Sequence, residues 1–84
     1  MGNSVKIYTL STCSHCKDTK AFLNDCKVAF EYTDVDLLDP GDKAAVLQEV
    51  KQHNPRMTFP TIVVNGWRVI VGFNKAEITK VLGL

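Results

Sequence analysis

The chain has 84 residues, enough for one hydrophobic core, since a chain of this size buries only about two-thirds of the surface it exposes when unfolded. It is 45% hydrophobic and 23% charged, and ten Lys and Arg against nine Asp and Glu leave a net charge of +1, which argues against nucleic acid or an anionic membrane as partner. No apolar run approaches the roughly 20 residues of a membrane-spanning helix, Lys6 breaks the myristoylation pattern that Met1-Gly2 opens, and three cysteines are too few for a secreted disulfide framework. The expectation is a single domain over residues 1–84, located in the cytoplasm.

Val5-Lys6-Ile7-Tyr8-Thr9-Leu10 alternates apolar and polar residues, the period of a strand. Ser11 and Thr12 then lead into a stretch from Cys13 to Cys26 in which Cys16, Thr19, Phe22, Leu23 and Cys26 recur at helical spacing. Lys17, Asp18, Lys20 and Asn24 occupy the other face, so this is an amphipathic helix laid on a sheet. Thr12 is the expected helix cap. Phe30-Glu31-Tyr32-Thr33-Asp34-Val35 alternates again as a second strand, and Asp39-Pro40 opens a second helix, with Ala45, Val46, Leu47 and Val50 on its apolar side and Asn54-Pro55 as its stop. Residues 60–64 and 67–71 are β-branched runs joined by Asn65-Gly66, a strong hairpin signal. Asn74 caps a last helix, with Glu77 at the third position, Ile78, Val81 and Leu82 inward, and Gly83 as its end. The order β-α-β-α-β-β-α describes an α/β domain with a four-stranded mixed sheet flanked by three helices, parallel across the first crossover and antiparallel at the hairpin.

The chemistry concentrates at Cys13-Ser14-His15-Cys16, where a strand hands over to a helix. Unpaired N–H groups and the positive end of the helix dipole favour a thiolate at Cys13, and Cys16, three residues on and on the same face, is placed to attack a mixed disulfide formed there. Cys13 is therefore the expected nucleophile and Cys16 the resolving thiol. His15, between them, either raises the thiolate population of Cys13 when protonated or is simply an exposed helix residue, and the Thr12 hydroxyl, besides capping the helix, is placed to contact the thiolate. Thr58-Phe59-Pro60 puts a proline just before a central strand, where its missing N–H is a defect unless the Phe59-Pro60 bond is cis. A cis bond would leave the backbone of residue 59 free to pair with a peptide-like substrate.

A metal site is the rival reading. The chain has no second Cys-x-x-Cys, so a metal site within one chain would have to recruit His15, His53 or Cys26, whereas two chains could pool their cysteine pairs around zinc or an iron–sulfur cluster; no metal ligand is assigned. Cys26 reads as a buried, inert core thiol and His53 as a helix C-terminal residue. Trp67 and Phe73 read as packed hairpin aromatics, with partner docking as the alternative.

A strand, Cys-x-x-Cys, a helix, then Thr-x-Pro, a hydrophobic strand, Asn-Gly and a Gly-containing turn together resemble the glutaredoxin family over nearly the whole chain. The resemblance implies a thioredoxin fold, with Cys13 attacking disulfides, Cys16 resolving, Thr58, Phe59 and Pro60 cradling the substrate, and Gly72, Phe73 and Asn74 in the turn that meets glutathione in members that use it. It implies a monomeric thiol-disulfide oxidoreductase with no bound cofactor, reducing protein or glutathione mixed disulfides, with glutathione or thioredoxin reductase as external reductant. Ser14-His15 stands where Pro-Tyr is usual, Leu10 where a lysine is frequent, and Met57 where a basic residue precedes Thr-x-Pro. Val71-Gly72-Phe73-Asn74-Lys75 lacks the Gly-Gly-acidic turn of glutathione binders and is similar to the Gly-Phe turn of NrdH-type redoxins, which take electrons from thioredoxin reductase. These departures predict weak use of glutathione.

Overall fold

The computed structural model describes residues 3–84; Met1 and Gly2, where the myristoylation reading falls, lie outside them. The elements follow the expected order: β1 (Val5–Thr9), α1 (Ser14–Asp25), β2 (Glu31–Asp34), α2 (Pro40–His53), β3 (Thr61–Val64), β4 (Arg68–Val71) and α3 (Lys75–Leu82). The sheet order is β2-β1-β3-β4, with β1 parallel to β2 and antiparallel to β3, and β3 antiparallel to β4. This is the thioredoxin fold.

The strand period sorts the core onto two faces. Val5, Ile7, Ile62, Val64 and Ile70 point to one side and meet Leu23 of α1 and Ile78 of α3. Tyr8 and Val63 point to the other and meet Val50 of α2 and Val35. Strand β3 is therefore buried along its whole length, because helices cover both its faces. Ile7, Leu23 and Ile78 are wholly buried, each worth about 1.5–3 kcal/mol relative to exposure.

Several expectations are corrected at element ends. Strand β2 stops at Asp34, and Val35–Leu37 form a single 3-10 turn that drives Val35 into the core beneath α2. On this edge strand Glu31 and Tyr32 are exposed. In α2, Ala45 is exposed and only Val50 is fully buried. Asn65 and Gly66 both take positive φ, +56° and +80°, as the hairpin turn requires. The register, however, pairs Val64 with Arg68, so Trp67 is the unpaired extra residue and stands 72% exposed rather than packed. Asn74 caps α3 as expected, its side chain accepting the Glu77 N–H at 3.1 Å. The Glu77 carboxylate bonds Arg68 at 3.3 Å instead of closing a reciprocal box.

Candidate active site

The loop leaving β1 is shaped before any cysteine is reached. Cys13 N–H donates to the Leu10 carbonyl at 3.1 Å, closing a turn. Ser11 donates its N–H to Asp36 Oδ1 at 2.8 Å and its hydroxyl to Asp36 Oδ2. These bonds, first the hydroxyl and then the N–H, hold the Asp36 carboxyl below the usual carboxylate range. Asp36 thus clamps the cysteine loop from the turn that follows the neighbouring strand β2. Its position 25 residues downstream left no local signal in the sequence.

Cys13 itself, not Thr12, is the N-cap of α1. Its backbone is extended, with φ −83° and ψ 117°, and its Sγ accepts the Cys16 N–H at 3.2 Å. A sulfur therefore holds the place usually taken by a Ser, Asn or Asp oxygen, and it receives a helix-terminal N–H. Thr12 is exposed one residue outside the helix. Cys13 is partly exposed, whereas Cys16 is wholly buried. Burial is the main cause that pushes the Cys16 thiol up to about 12, and its hydrogen bond with Cys13 adds to it. His15 lies exposed in the first turn of α1, where its carbonyl takes the Thr19 hydroxyl at 2.8 Å. Cys26 is not the buried core thiol expected: it is the C-cap of α1, half-buried at the end remote from Cys13.

Register brings the remaining predicted residues to the same end of the sheet. Tyr8 pairs with Thr61, which sets Pro60, one residue before Thr61, next to the end of β1. Gly72 N–H donates to the Pro60 carbonyl at 2.9 Å, carrying the β3–β4 ladder one step past the Thr61–Val71 pair. The Phe59-Pro60 bond is cis, as expected. Phe59 and Leu10 pack on the same core cluster, and among the described residues no group hydrogen-bonds the Phe59 N–H or carbonyl. Gly72 adopts φ +78°, a turn conformation an L side chain resists. Phe73 stacks edge-on against Phe22 with ring centroids 6.0 Å apart, and the Lys75 ammonium sits over both rings. Trp67 lines a separate groove with Arg68 and Lys80, so Trp67 and Phe73 do not form one patch.

Behind the cysteines, Thr9 donates to Asp34 at 2.6 Å and Lys20 pairs with the same carboxylate at 3.2 Å, with both charged side chains largely buried. Lys20, assigned to the solvated face by spacing, is thus drawn onto β2 and lies 3.9 Å from the Tyr32 ring centre. Among the described residues no three His, Cys, Asp or Glu side chains converge as a metal site would require, and no helix is long and apolar enough to cross a membrane.

Known proteins supply the family context. The glutaredoxin family model matches residues 5–69. An uncharacterized glutaredoxin-like 8.6 kDa protein encoded in the rubredoxin operon of Clostridium pasteurianum is 35% identical over 78 residues, covering 93% of this chain and 96% of that protein. Among solved structures, the methanoredoxin of Methanosarcina acetivorans superposes with a TM-score of 0.93 at 42% identity, over 96% of this chain and 85% of that one. The glutaredoxin of Methanosarcina mazei Go1 gives 0.90 at 42% identity, over 96% and 79%.

Proposed function

This chain belongs to the glutaredoxin family, and from that premise we propose that it is a dithiol oxidoreductase in which Cys13 attacks and Cys16 resolves. The observation that carries the proposal is the asymmetry of the pair. Cys13 is open to a substrate at a helix start, while Cys16, hydrogen-bonded to it, is closed to solvent with its thiol pushed up to about 12. In the first step the Cys13 thiolate attacks one sulfur of a substrate disulfide. The substrate S–S bond breaks, a Cys13–substrate bond forms, and the other substrate sulfur leaves as a thiolate. Cys16 remains protonated and out of competition during this attack. The departing thiolate is a base at hand for its proton, after which Cys16 attacks Cys13 Sγ and frees the second substrate thiolate. The substrate has gained two electrons, and the protein holds a Cys13–Cys16 disulfide until an external reductant returns two.

Thr58, Phe59 and Pro60 form the proposed substrate wall, with the unpaired Phe59 backbone groups as the peptide-pairing edge. Gly72, Phe73 and Asn74 form the neighbouring turn, and Thr12 and His15 flank the nucleophile. Disulfide-containing proteins are the proposed substrates, and a soluble reductant rather than a bound cofactor the electron source. Two features support a thioredoxin-reductase-type donor over glutathione. Leu10 packs into the α2-side core and contributes no charge at the cysteine loop, and Phe73 is engaged with Phe22 beside a turn with no acidic residue. The test is the rate at which the oxidised protein is reduced by glutathione and, separately, by thioredoxin reductase with NADPH. Faster reduction by the reductase is expected; fast, saturable turnover with glutathione would overturn this choice of donor.

A further inference from the structure

The loop between α2 and β3 carries the Phe59 backbone groups, and its shape is not one a free chain would keep. Met57 sits at φ +53°, the left-handed region that a residue with a Cβ enters at a cost. Met57 and Phe59 pack on the α2-side core, and one buried side chain supplies the polar bracing that completes the loop. Asn54 is only 4% exposed, and each of its polar groups is engaged. Its Nδ2 faces the Thr58 carbonyl at 3.2 Å, the Thr58 hydroxyl at 3.0 Å and the Thr61 hydroxyl at 3.1 Å. Its Oδ1 accepts the Arg56 N–H at 3.2 Å, an Asx turn. Its carbonyl accepts the Met57 N–H at 2.8 Å, and its own N–H donates to Val50 at 2.7 Å. Thr61 completes the set by donating its hydroxyl to the Thr58 carbonyl at 2.7 Å.

The orientation of the amide is dictated by its neighbours. The Arg56 N–H can only donate and the Thr58 carbonyl can only accept, so a flipped side chain would set like against like at both. One buried amide therefore ties the end of α2 to the residue before Phe59 and the residue after Pro60. Helix propensity and the following proline explain why α2 stops at Asn54, but a stop does not require a buried amide nitrogen that faces three acceptors on Thr58 and Thr61.

We infer that Asn54 is a positioning residue for disulfide exchange, fixing the Phe59 backbone where a substrate chain pairs beside Cys13. The inference rests on the dithiol reading above and adds a residue outside the Cys-x-x-Cys and Thr-x-Pro motifs. Asn54→Asp keeps size and the Oδ1 acceptor but sets a carboxylate oxygen against the Thr58 carbonyl. Thr61→Val, nearly isosteric and well suited to a strand, removes one hydroxyl from the network, and Thr61→Ser restores it.

The experiment compares these variants in the reduction of insulin disulfides with dithiothreitol as recycling reductant, alongside the rate at which iodoacetamide alkylates Cys13. For Asn54→Asp, kcat/KM falls by about tenfold, mainly through KM, while Cys13 alkylation stays within about twofold of the parent. Thr61→Val loses about threefold in kcat/KM and Thr61→Ser recovers it. If Asn54→Asp fails to fold, judged by far-UV circular dichroism, the Thr61 pair decides. Unchanged kcat/KM in the folded variants, or a parallel fall in Cys13 alkylation, would overturn the inference. A parent protein that reduces no disulfide would sink the dithiol reading itself.

Discussion

Two cysteines three residues apart meet different environments, and that difference is where the chemistry starts. Cys13 ends an extended segment and offers its sulfur to the open end of the sheet, while Cys16, one turn into α1, faces the core. Helical spacing made the inward direction of Cys16 legible, because it shares a stripe with Thr19 and Leu23, both buried. The same stripe misplaced Cys26, since a residue at a helix end leaves the packed layer. The role of Thr12 slipped by one residue because a cysteine is an unusual cap. Selective chemistry is the expected result: iodoacetamide added to the reduced native protein near neutral pH labels Cys13 and spares Cys16, read by peptide mass spectrometry. Burial raises the Cys16 thiol from 9.0 to about 12, so its contribution to stability is complete below 9.0 and is lost as pH climbs through about 12. Labelling of Cys16 should grow only over that alkaline range. Equal labelling of both cysteines at neutral pH would contradict the assignment.

At the level of elements, the signals that the sequence carried well were local and chemical. Asn74 and Gly83 bracket α3 as their types require, the second in the left-handed conformation. Asn74→Ala is expected to cost about 1 kcal/mol, seen as a lower urea midpoint with an unchanged slope. An unchanged midpoint would mean that the Asn74–Glu77 bond contributes nothing to α3. Signals that depend on a neighbour were harder to see. The 3-10 turn at Val35–Leu37 follows from where Val35 packs, which the alternation of β2 could not announce. The exposure of Trp67 follows from a hairpin register one residue longer than the Asn-Gly turn suggested. The capping box of α3 is half-made because Arg68, on β4, competes for the Glu77 carboxylate.

On the scale of the whole molecule, the order β2-β1-β3-β4 does the assembling. Placing β1 beside β3 brings Cys13 and Phe59-Pro60, remote in sequence, to one end of the sheet, and the extended β3–β4 ladder adds Gly72. That gathering was legible because motif order along the chain resembled a known family. The braces were not: Asp36 holding Ser11 and Asn54 holding Thr58 and Thr61 are ordinary polar residues whose importance lies in what they touch. They confine the cysteine loop and the opposing loop separately, and a reaction between a protein disulfide and Cys13 needs both held still.

The most direct test of the dithiol exchange is to trap its intermediate. Reduced Cys16→Ser protein mixed with insulin disulfides should accumulate a mixed disulfide located at Cys13 by non-reducing mass spectrometry, while the parent protein passes through that species without accumulating it and Cys13→Ser forms none. A mixed disulfide located at Cys26, or one formed equally by the Cys13→Ser protein, would contradict the account.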